Sequence, residues 1–298
     1  MKMLITGGTV FVSRYLAEYY VHKGQEVWVL NRGTRPQSEG VHLIQADRYA
    51  LGDVLHGHQF DVVIDTAYTA DDVNKLLDAL DSCGDYVLIS SSAVYPEYAP
   101  QPFREDTPLA ENCHWGAYGV NKITAEQALL RRMPGAYILR PPYLYGPMNN
   151  IYREAFMIDC ALADRPIFLP GDGSMQLQFF HIRDLCRMID ALLMYQPAQR
   201  IFNVGNPDAV SVREWAEMCC RAAGKEATFV QVPEEADVRR YFCFREYEYH
   251  LEVSAQQALL PQLTPLADGL REAFAWYIGH QEDVLKRPYL EYIDQNLT

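Results

Sequence analysis

Residues 1–20 read MKMLITGGTVFVSRYLAEYY, a short apolar run followed by a glycine turn and a segment with helical apolar spacing. A strand that turns at glycine into a helix is the arrangement in which βαβ proteins bind dinucleotides. Three spaced glycines usually provide the tight turn, the close approach to the pyrophosphate and the helix–strand contact. Gly7 fills the first role and Gly8 follows it, but Val10 and Ser13 occupy the other two positions. The turn alone leaves two alternatives, a dinucleotide site and a plain tight connection.

The pattern of the opening stretch repeats through the first half of the chain. After KMLIT come the apolar runs EVWVLN, VHLIQAD, DVVIDTA, YVLISSS and AYILRPP, each closed by a turn signal and separated by segments that include helical spacing. Strands alternating with helices indicate βαβ units and a parallel sheet covered on both faces. We therefore predict an α/β fold, a Rossmann-type doubly wound parallel sheet, with ligands bound outside the carboxyl ends of the strands.

The pattern changes after Gly146. IYREAFMIDCALADRP and VSVREWAEMCCRAAG are typical of helices, and Ser211 with Glu214 forms a capping box for the second. We predict that residues 1–145, with about 177–206, form an NAD(P)-binding domain. Residues of about 146–176 and 207–298 form a smaller, mainly helical substrate lobe, and FNVGN returns to the sheet.

The composition narrows the classes of function. The formal charge of −13 disfavours nucleic acid as a partner, because such binding depends on basic surface. No apolar run approaches the roughly 20 residues that cross a bilayer, so no membrane partner is expected. The seven cysteines lack metal-ligand spacing, which predicts reduced thiols and no metal site. The first residues lead into a strand without a signal-peptide pattern, and we expect a cytoplasmic protein.

A tyrosine and a lysine stand one helical turn apart beyond the fifth apolar run. Tyr118 and Lys122 lie in AYGVNKITAEQALL, and SSSAVYP precedes them at a strand end. An ammonium one turn from a phenol favours the phenolate and can also bind ribose hydroxyls. A serine hydroxyl from the strand end could bind a substrate oxygen beside the phenol, so that proton transfer accompanies hydride transfer. Y-x-x-x-K alone occurs often by chance, and its order after the glycine turn and the serine run favours the catalytic interpretation.

The end of the second apolar run bears on the choice of cofactor. An acidic residue there would bind the ribose 2′-hydroxyl of NAD. This chain has Asn31 followed by Arg32, with Arg35 nearby. Cations without a carboxylate favour the 2′-phosphate of NADP over NAD, although a solvated loop arginine is a common alternative.

Eight segments in order resemble the extended short-chain dehydrogenase/reductase superfamily, in its NAD-dependent epimerase/dehydratase branch. They include TGGTVFVSRYL, DVVIDTAY, ISSSAVYP, AYGVNK, LRPPYLYGP, LPGDGSMQLQFFHIRDL and FNVGNPDAVSVREWAE. The opening GGT-x-F-V also resembles an atypical branch that contains chloroplast RNA-binding proteins. The resemblance implies a Rossmann fold, an NAD or NADP cofactor, a small hydroxyl or carbonyl substrate that could be sugar-derived, and a homodimer.

The resemblance also implies roles for particular residues. The catalytic residues would be Ser91, Tyr118 and Lys122. The cofactor would contact Gly7, Gly8, Phe11, Val12, Asn31, Arg32, Asp47, Ala67, Tyr118, Lys122 and Pro141. The substrate would contact Ser92 and Tyr143.

Two departures from the family pattern restrict the reaction. Ser92 and Ala93 stand where sugar-nucleotide dehydratases carry an Asp-Glu pair, and Leu177 stands where sugar-nucleotide enzymes carry a phosphate-binding arginine. The predicted function is therefore an NAD(P)-dependent oxidoreductase or epimerase, with a nucleotide sugar as substrate left in question. A non-catalytic NAD(P)-binding regulator and an RNA-binding relative are the alternatives.

Overall fold

The computed structural model describes residues 1–232 and 236–298, and no helix within them is both long and apolar enough to span a bilayer. The strands are β1 (Lys2–Thr6), β2 (Glu26–Asn31), β3 (His42–Gln45), β4 (Gln59–Asp65), β5 (Ser82–Ile89), β6 (Tyr137–Arg140), β7 (Tyr143–Tyr145), β8 (Ile167–Pro170), β9 (Gln176–Leu177), β10 (Phe179–His181), β11 (Ile201–Asn203), β12 (Val210–Ser211) and β13 (Phe229–Val232). The helices are α1 (Phe11–His22), α2 (Ala70–Ala79), α3 (Ala117–Arg132), α4 (Glu154–Leu162), α5 (Ile182–Tyr195), α6 (Val212–Ala222), α7 (Val238–Tyr241), α8 (Ser254–Leu259), α9 (Leu266–Ile278) and α10 (Tyr289–Asn296).

A parallel sheet organises the first part of the chain, in the order β3-β2-β1-β4-β5-β6-β11. In β1, Leu4 lies opposite Trp28 of β2 and Val63 of β4. The strand order reverses between β1 and β4, and the carboxyl edge at such a point is where open α/β sheets bind ligands. The predicted doubly wound sheet is confirmed, and FNVGN does return to it as β11.

Apolar strands and helices on both sides bury this sheet. Val63 of β4 and Leu88 of β5 belong to a core that also includes Leu76 of α2 and Leu129 of α3. Helices α1 and α5 pack against each other through contacts that include the Tyr19 hydroxyl, which donates to Asp190 at 2.6 Å. Helix α1 connects β1 to β2, and α2 connects β4 to β5 in the opposite direction along the sheet. Because both crossovers are right-handed, the two helices lie on opposite faces of the sheet.

The chain divides into two compact units. The first contains Met1–Pro142, Ile182–Gly205 and Leu251–Gln262, and the second contains Tyr143–His181, Asn206–His250 and Leu263–Thr298. The predicted boundaries differ from this division at 143–145 and 177–181, which lie in the second unit, and at 251–262, which lies in the first. That segment packs in the first unit because α8 contacts α5 and β11, and Gln256 Oε1 accepts a hydrogen bond from Gly205 N at 2.7 Å.

The second unit combines helices α4, α6 and α9 with short strand pairs, β7 with β10, β8 with β13 and β9 with β12. The predicted capping box at α6 is present, with Ser211 Oγ accepting from Glu214 N and the Glu214 carboxylate accepting from Ser211 N. Aromatic rings fill the interior of the second unit, where Phe179 stacks on Trp215 with ring centroids 3.6 Å apart.

A buried ion pair in the first unit joins α3 to the ends of β5 and β6. Arg140 is 2% exposed and makes two hydrogen bonds to Glu126, which is 1% exposed, at 3.1 and 2.6 Å. Arg140 also donates to the Tyr95 hydroxyl at 2.7 Å, and Ser90 Oγ donates to Glu126. Burial opposes the charge of Arg140, yet Glu126 raises the pKa of Arg140 above its ordinary value. The pair thus fixes α3 in register against the strand ends.

Arg140→Met is expected to destabilise the protein by about 3–5 kcal/mol, because Glu126 would be left buried without its partner. The double variant Arg140→Met/Glu126→Leu is expected to recover much of that loss. Urea-induced unfolding followed by circular dichroism measures the free energy of unfolding of both variants and of wild type.

Arg271→Met is the matched control, because the exposed Arg271 pairs with Asp268 in a surface ion pair that typically contributes less than about 1 kcal/mol. Equal destabilisation by Arg140→Met and Arg271→Met would contradict the importance assigned to the buried pair.

Candidate functional site

Two glycines close the turn between β1 and α1. Gly7 and Gly8 have φ angles of 92° and 90°, which side chains disfavour. A Cβ atom would lie 2.7 Å from Ser13 Oγ if built on Gly7, and 2.5 Å from Val29 Cγ1 if built on Gly8. Helix α1 begins directly after this turn, and the first turn of a helix offers N–H groups to an anion. The cradle therefore fits a dinucleotide pyrophosphate.

The departures from the glycine pattern are accommodated locally. Val10 lies just before α1 with φ −139° and ψ 135°, an extended conformation that needs no glycine. Ser13 Oγ donates to the Val10 carbonyl at 3.1 Å, so the serine in the third glycine position closes the first helical turn. Phe11 is buried and Val12 is half-buried at the start of α1. The turn keeps its shape without the second and third glycines.

A cavity of about 430 Å³ lies at the carboxyl ends of β1 and β2. Four of the residues predicted to bind the cofactor line it, namely Gly7, Asn31, Arg32 and Asp47. The other lining residues are Thr6, Leu30, Ala46, Arg48, Tyr49 and Thr66. The cavity lies where the strand order of the sheet reverses. Dinucleotide-binding folds bind their ligand at this point, with the adenosine beside the end of the second strand.

Asn31 is held by the turn itself. Its Nδ2 donates to the Gly7 carbonyl at 2.6 Å and to Gln37 Oε1 at 2.9 Å, and its Oδ1 accepts from Gly33 N at 2.8 Å. The Asn31 amide therefore ties the end of β2 to the glycine turn. Asp47 Oδ1 likewise accepts from Tyr49 N at 2.9 Å, which shapes the wall after β3.

Asp65 ends β4 as a fully buried carboxylate. It accepts hydrogen bonds from Thr6 Oγ1 at 2.7 Å, Arg48 at 2.6 Å, Tyr86 at 2.6 Å and Ala67 N at 3.0 Å. Burial opposes the charge of Arg48, but the adjacent Asp65 carboxylate holds the pKa of Arg48 above its ordinary value. Here the carboxylate, satisfied by four donors, fixes the β4 end that lines the site.

Lys122 joins α3 to the ends of β4 and β5. It is 6% exposed, and its Nζ donates to the Ala67 carbonyl at 2.7 Å and to the Ile89 carbonyl at 2.8 Å. An ammonium has three donors, so one remains without a protein acceptor among the residues that the structure describes. Burial lowers the pKa of Lys122 to about 8, and Asp65 and Glu126 partly oppose that shift.

Tyr118 and Lys122 share helix α3, as the sequence predicts. Gly119 approaches the Ala93 carbonyl so closely that a Cβ atom would collide with it, which sets the Tyr118 turn against the strand end. Ser91 lies at that strand end, where its Oγ accepts from Ala93 N at 3.2 Å. The half-buried Tyr118 ring also contacts the Tyr68 ring, with centroids 5.5 Å apart. The fold therefore brings Ser91, Tyr118 and Lys122 to one edge.

The remaining predicted residues separate into the two units. Ser92 N donates to the Pro141 carbonyl at 2.9 Å, so both belong to the edge that carries Ser91. Tyr143 lies in the second unit, buried, with the Arg153 guanidinium 4.6 Å from its ring centroid. Leu177 is fully buried in that unit and pairs with Val210.

Sequence reasoning missed the charged residues beneath this edge. Arg48 stands in no motif, and Arg140 lies in the segment LRPPYLYGP but was given no role. Glu126 follows Lys122 at helical spacing and so lies on the same face. That spacing was the available signal for Glu126. The pairing of Arg48 with Asp65 has no local signal, because the two residues lie on different elements.

The family model of the NAD dependent epimerase/dehydratase family matches residues 3–205. The chain belongs to this family. The predicted resemblance and the Rossmann-type fold are confirmed. The prediction that the chain is an enzyme of this family is also confirmed, without a specific reaction.

Curated relatives and solved structures are similar along most of the chain. The chloroplast stem-loop binding protein of 41 kDa b from Arabidopsis thaliana is 29% identical over 302 residues, covering 92% of this chain and 78% of that protein. The UDP-glucose 4-epimerase of Corynebacterium glutamicum is 28% identical over 80% of this chain and 84% of its own. The UDP-glucuronic acid 4-epimerase of Bacillus cereus, solved with UDP-glucuronic acid and NAD, shares the fold at 20% identity with a TM-score of 0.73, covering 94% of this chain and 99% of its own.

The buried ammonium predicts a pH dependence of stability. Because the pKa of Lys122 is about 8 in the folded protein and 10.5 ordinarily, the unfolded chain binds more protons between these values. The free energy of unfolding then rises with pH by about 1.4 kcal/mol per unit. Lys122→Met has no group that titrates in this way. Between pH 8 and pH 10 the free energy of unfolding of wild type should therefore rise by about 3 kcal/mol relative to that of the variant. Urea unfolding of both proteins across that range tests this, and a stability difference independent of pH would contradict it.

Proposed function

We propose that this chain is an NAD(P)-dependent oxidoreductase or epimerase that acts on a small hydroxyl or carbonyl compound. The observation that carries the proposal is the Lys122 ammonium, buried at the ends of β4 and β5 one helical turn from Tyr118. A charged group buried at the ligand-binding edge of such a sheet, with one donor left over, is suited to a cofactor hydroxyl.

Each residue of the edge takes a separate part. Tyr118 accepts the proton of a substrate hydroxyl, or returns it to a carbonyl, at its phenolic oxygen. Lys122 binds the ribose with its third N–H and favours the phenolate by its charge. Ser91 binds the substrate oxygen beside Tyr118. When bound, the nicotinamide supplies the hydride acceptor or donor.

The cofactor contacts follow from the cradle and the cavity. Gly7, Gly8, Phe11 and Val12 would hold the pyrophosphate by their backbone. Asp47 and Asn31 would face the adenosine, while Ala67 and Pro141 would lie along the rest of the dinucleotide. The positive φ angles of Gly7 and Gly8 support this assignment.

We expect NADP rather than NAD as the cofactor. The end of β2 carries no carboxylate, the Asn31 amide is engaged with the turn, and Arg32 lines the cavity. Arg32→Gln is expected to weaken NADP⁺ binding about tenfold, the loss of one charge-assisted contact, while NAD⁺ affinity stays unchanged.

Isothermal titration with both nucleotides measures this preference. Arg132→Gln is the control, since Arg132 lies on exposed α3 surface paired with Asp78. Tighter binding of NAD⁺ than of NADP⁺ by wild type would refute the NADP assignment.

The substrate is expected to meet Ser92 and Tyr143. Sugar-derived compounds are candidates, since relatives include nucleotide-sugar epimerases by name. The aliphatic Leu177 cannot neutralise a diphosphate, whereas Arg153 beside Tyr143 is a cation of the same unit. The absence of the Asp-Glu pair at Ser92 and Ala93 disfavours dehydration.

Tyr118→Phe tests the catalytic assignment. Turnover of any substrate found in a panel of hydroxyl and carbonyl compounds, followed by NAD(P)H absorbance or product epimerisation, is expected to fall by about 10²–10⁴-fold. Cofactor affinity should fall far less than turnover, since the phenylalanine ring stays in place and the Gly7–Gly8 turn still binds the pyrophosphate.

Tyr98→Phe removes a hydroxyl from a side chain that is 76% exposed and serves as the control. Undiminished turnover in Tyr118→Phe would remove Tyr118 from the mechanism, whereas no turnover of any compound by wild type would favour a non-catalytic NAD(P)-binding regulator.

RNA binding is the second candidate, because one relative is named a stem-loop binding protein. The formal charge of −13 opposes it. Filter retention of a stem-loop RNA that weakens with added salt would support RNA binding, and no retention at low salt would exclude it.

Assembly and location are further proposals from the family pattern. A homodimer through a four-helix contact that includes α3 is expected, and sedimentation of only monomer at micromolar concentration would refute it. A cytoplasmic location is expected and is testable by fractionation.

A further inference from the structure

Three arginines converge on a pocket in the second unit. Arg239 and Arg240 lie on α7, and Arg287 precedes α10, which packs against α7. Together they line a cavity of about 340 Å³ whose other lining residues are Pro288, Tyr289, Glu291, Tyr292 and Gln295. None of these residues is among those predicted for the cofactor or the substrate.

The three guanidinium groups share their cavity with one carboxylate, that of Glu291. Within residues 1–232 and 236–298, Arg239, Arg240 and Arg287 form no ion pair. Elsewhere in the same unit Arg165 pairs with Asp294, and Arg221 pairs with Glu217. Exposed arginines that share one cavity repel each other, and a bound anion removes that repulsion.

Neighbouring contacts hold two of the arginines in place. The Arg240 guanidinium lies 4.5 Å from the Tyr292 ring centroid, and one Arg239 nitrogen donates to the Cys243 carbonyl at 2.8 Å. Tyr289 also lines the cavity, is 3% exposed and stacks on Tyr152. Each guanidinium has five N–H donors, so most remain available to a ligand although the side chains are positioned.

The donors and the shape of the cavity define the ligand. Guanidinium forks match the oxygens of phosphate, and three of them suit a group with several oxygens and more than one charge. The concave cavity, about 340 Å³ in volume, suits one compact group better than an extended polymer.

We propose that this pocket binds a small molecule through a phosphate or diphosphate group. None of the cavity's lining residues is assigned to the catalytic edge, the cofactor or the substrate. The proposal therefore holds or fails independently of the role of Tyr118.

Sodium pyrophosphate titrated into the full-length protein by calorimetry tests the proposal at low salt. The double variant Arg239→Gln/Arg287→Gln is expected to bind at least about tenfold more weakly, because two charge-assisted contacts are lost. Arg221→Gln, which removes a paired arginine of the same unit, should bind as wild type does.

Glu291→Gln gives a test that misfolding cannot imitate. Glu291 is the carboxylate of the cavity lining, and its removal is expected to tighten pyrophosphate binding severalfold by ending a like-charge repulsion. Equal affinity in wild type and the double variant would overturn the proposal, as would weaker binding in Glu291→Gln. A stem-loop RNA that bound through these arginines while pyrophosphate did not would also overturn it.

Discussion

The architecture depends on one buried ammonium. Lys122 reaches from α3 to the carbonyls that end β4 and β5, and so fixes the helix of Tyr118 to the edge where a parallel sheet binds its ligand. Removing an ammonium from water is costly unless hydrogen bonds and opposite charges replace the solvent. The two carbonyls supply the hydrogen bonds, and Asp65 and Glu126 supply the opposing charge.

Each of those carboxylates also pairs with an arginine. Asp65 pairs with Arg48 at the cavity wall, and Glu126 pairs with Arg140 beneath α3. The Ala67 peptide connects the first pair to the lysine, because its N–H donates to Asp65 while its carbonyl accepts from Lys122. Alternating charges therefore run under the edge, and each charge has a partner. Such networks stabilise a fold when their members are satisfied, and the third Lys122 donor is the one left for a ligand.

The sequence predicted what depends on local pattern. Strand runs, the α6 capping box and the one-turn spacing of Tyr118 and Lys122 are all readable within a few residues. The hydrogen bonds of the buried network could not be predicted from the sequence, because Thr6 and Asp65 are 59 positions apart and Ser90 and Glu126 are 36 apart. The engagement of Asn31 with Gly7 was also hidden, since it requires β2 to lie beside the turn. Polar partners brought together by a parallel sheet leave no periodicity in the chain.

A crystal structure of the protein with bound NAD⁺ or NADP⁺ tests the central claim most directly. The account predicts Lys122 Nζ within about 3 Å of a ribose hydroxyl, the pyrophosphate against the Gly7–Gly8 turn, and the Tyr118 hydroxyl beside the nicotinamide. A dinucleotide bound elsewhere, or a ribose that leaves Lys122 in contact with the Ala67 and Ile89 carbonyls alone, would contradict it.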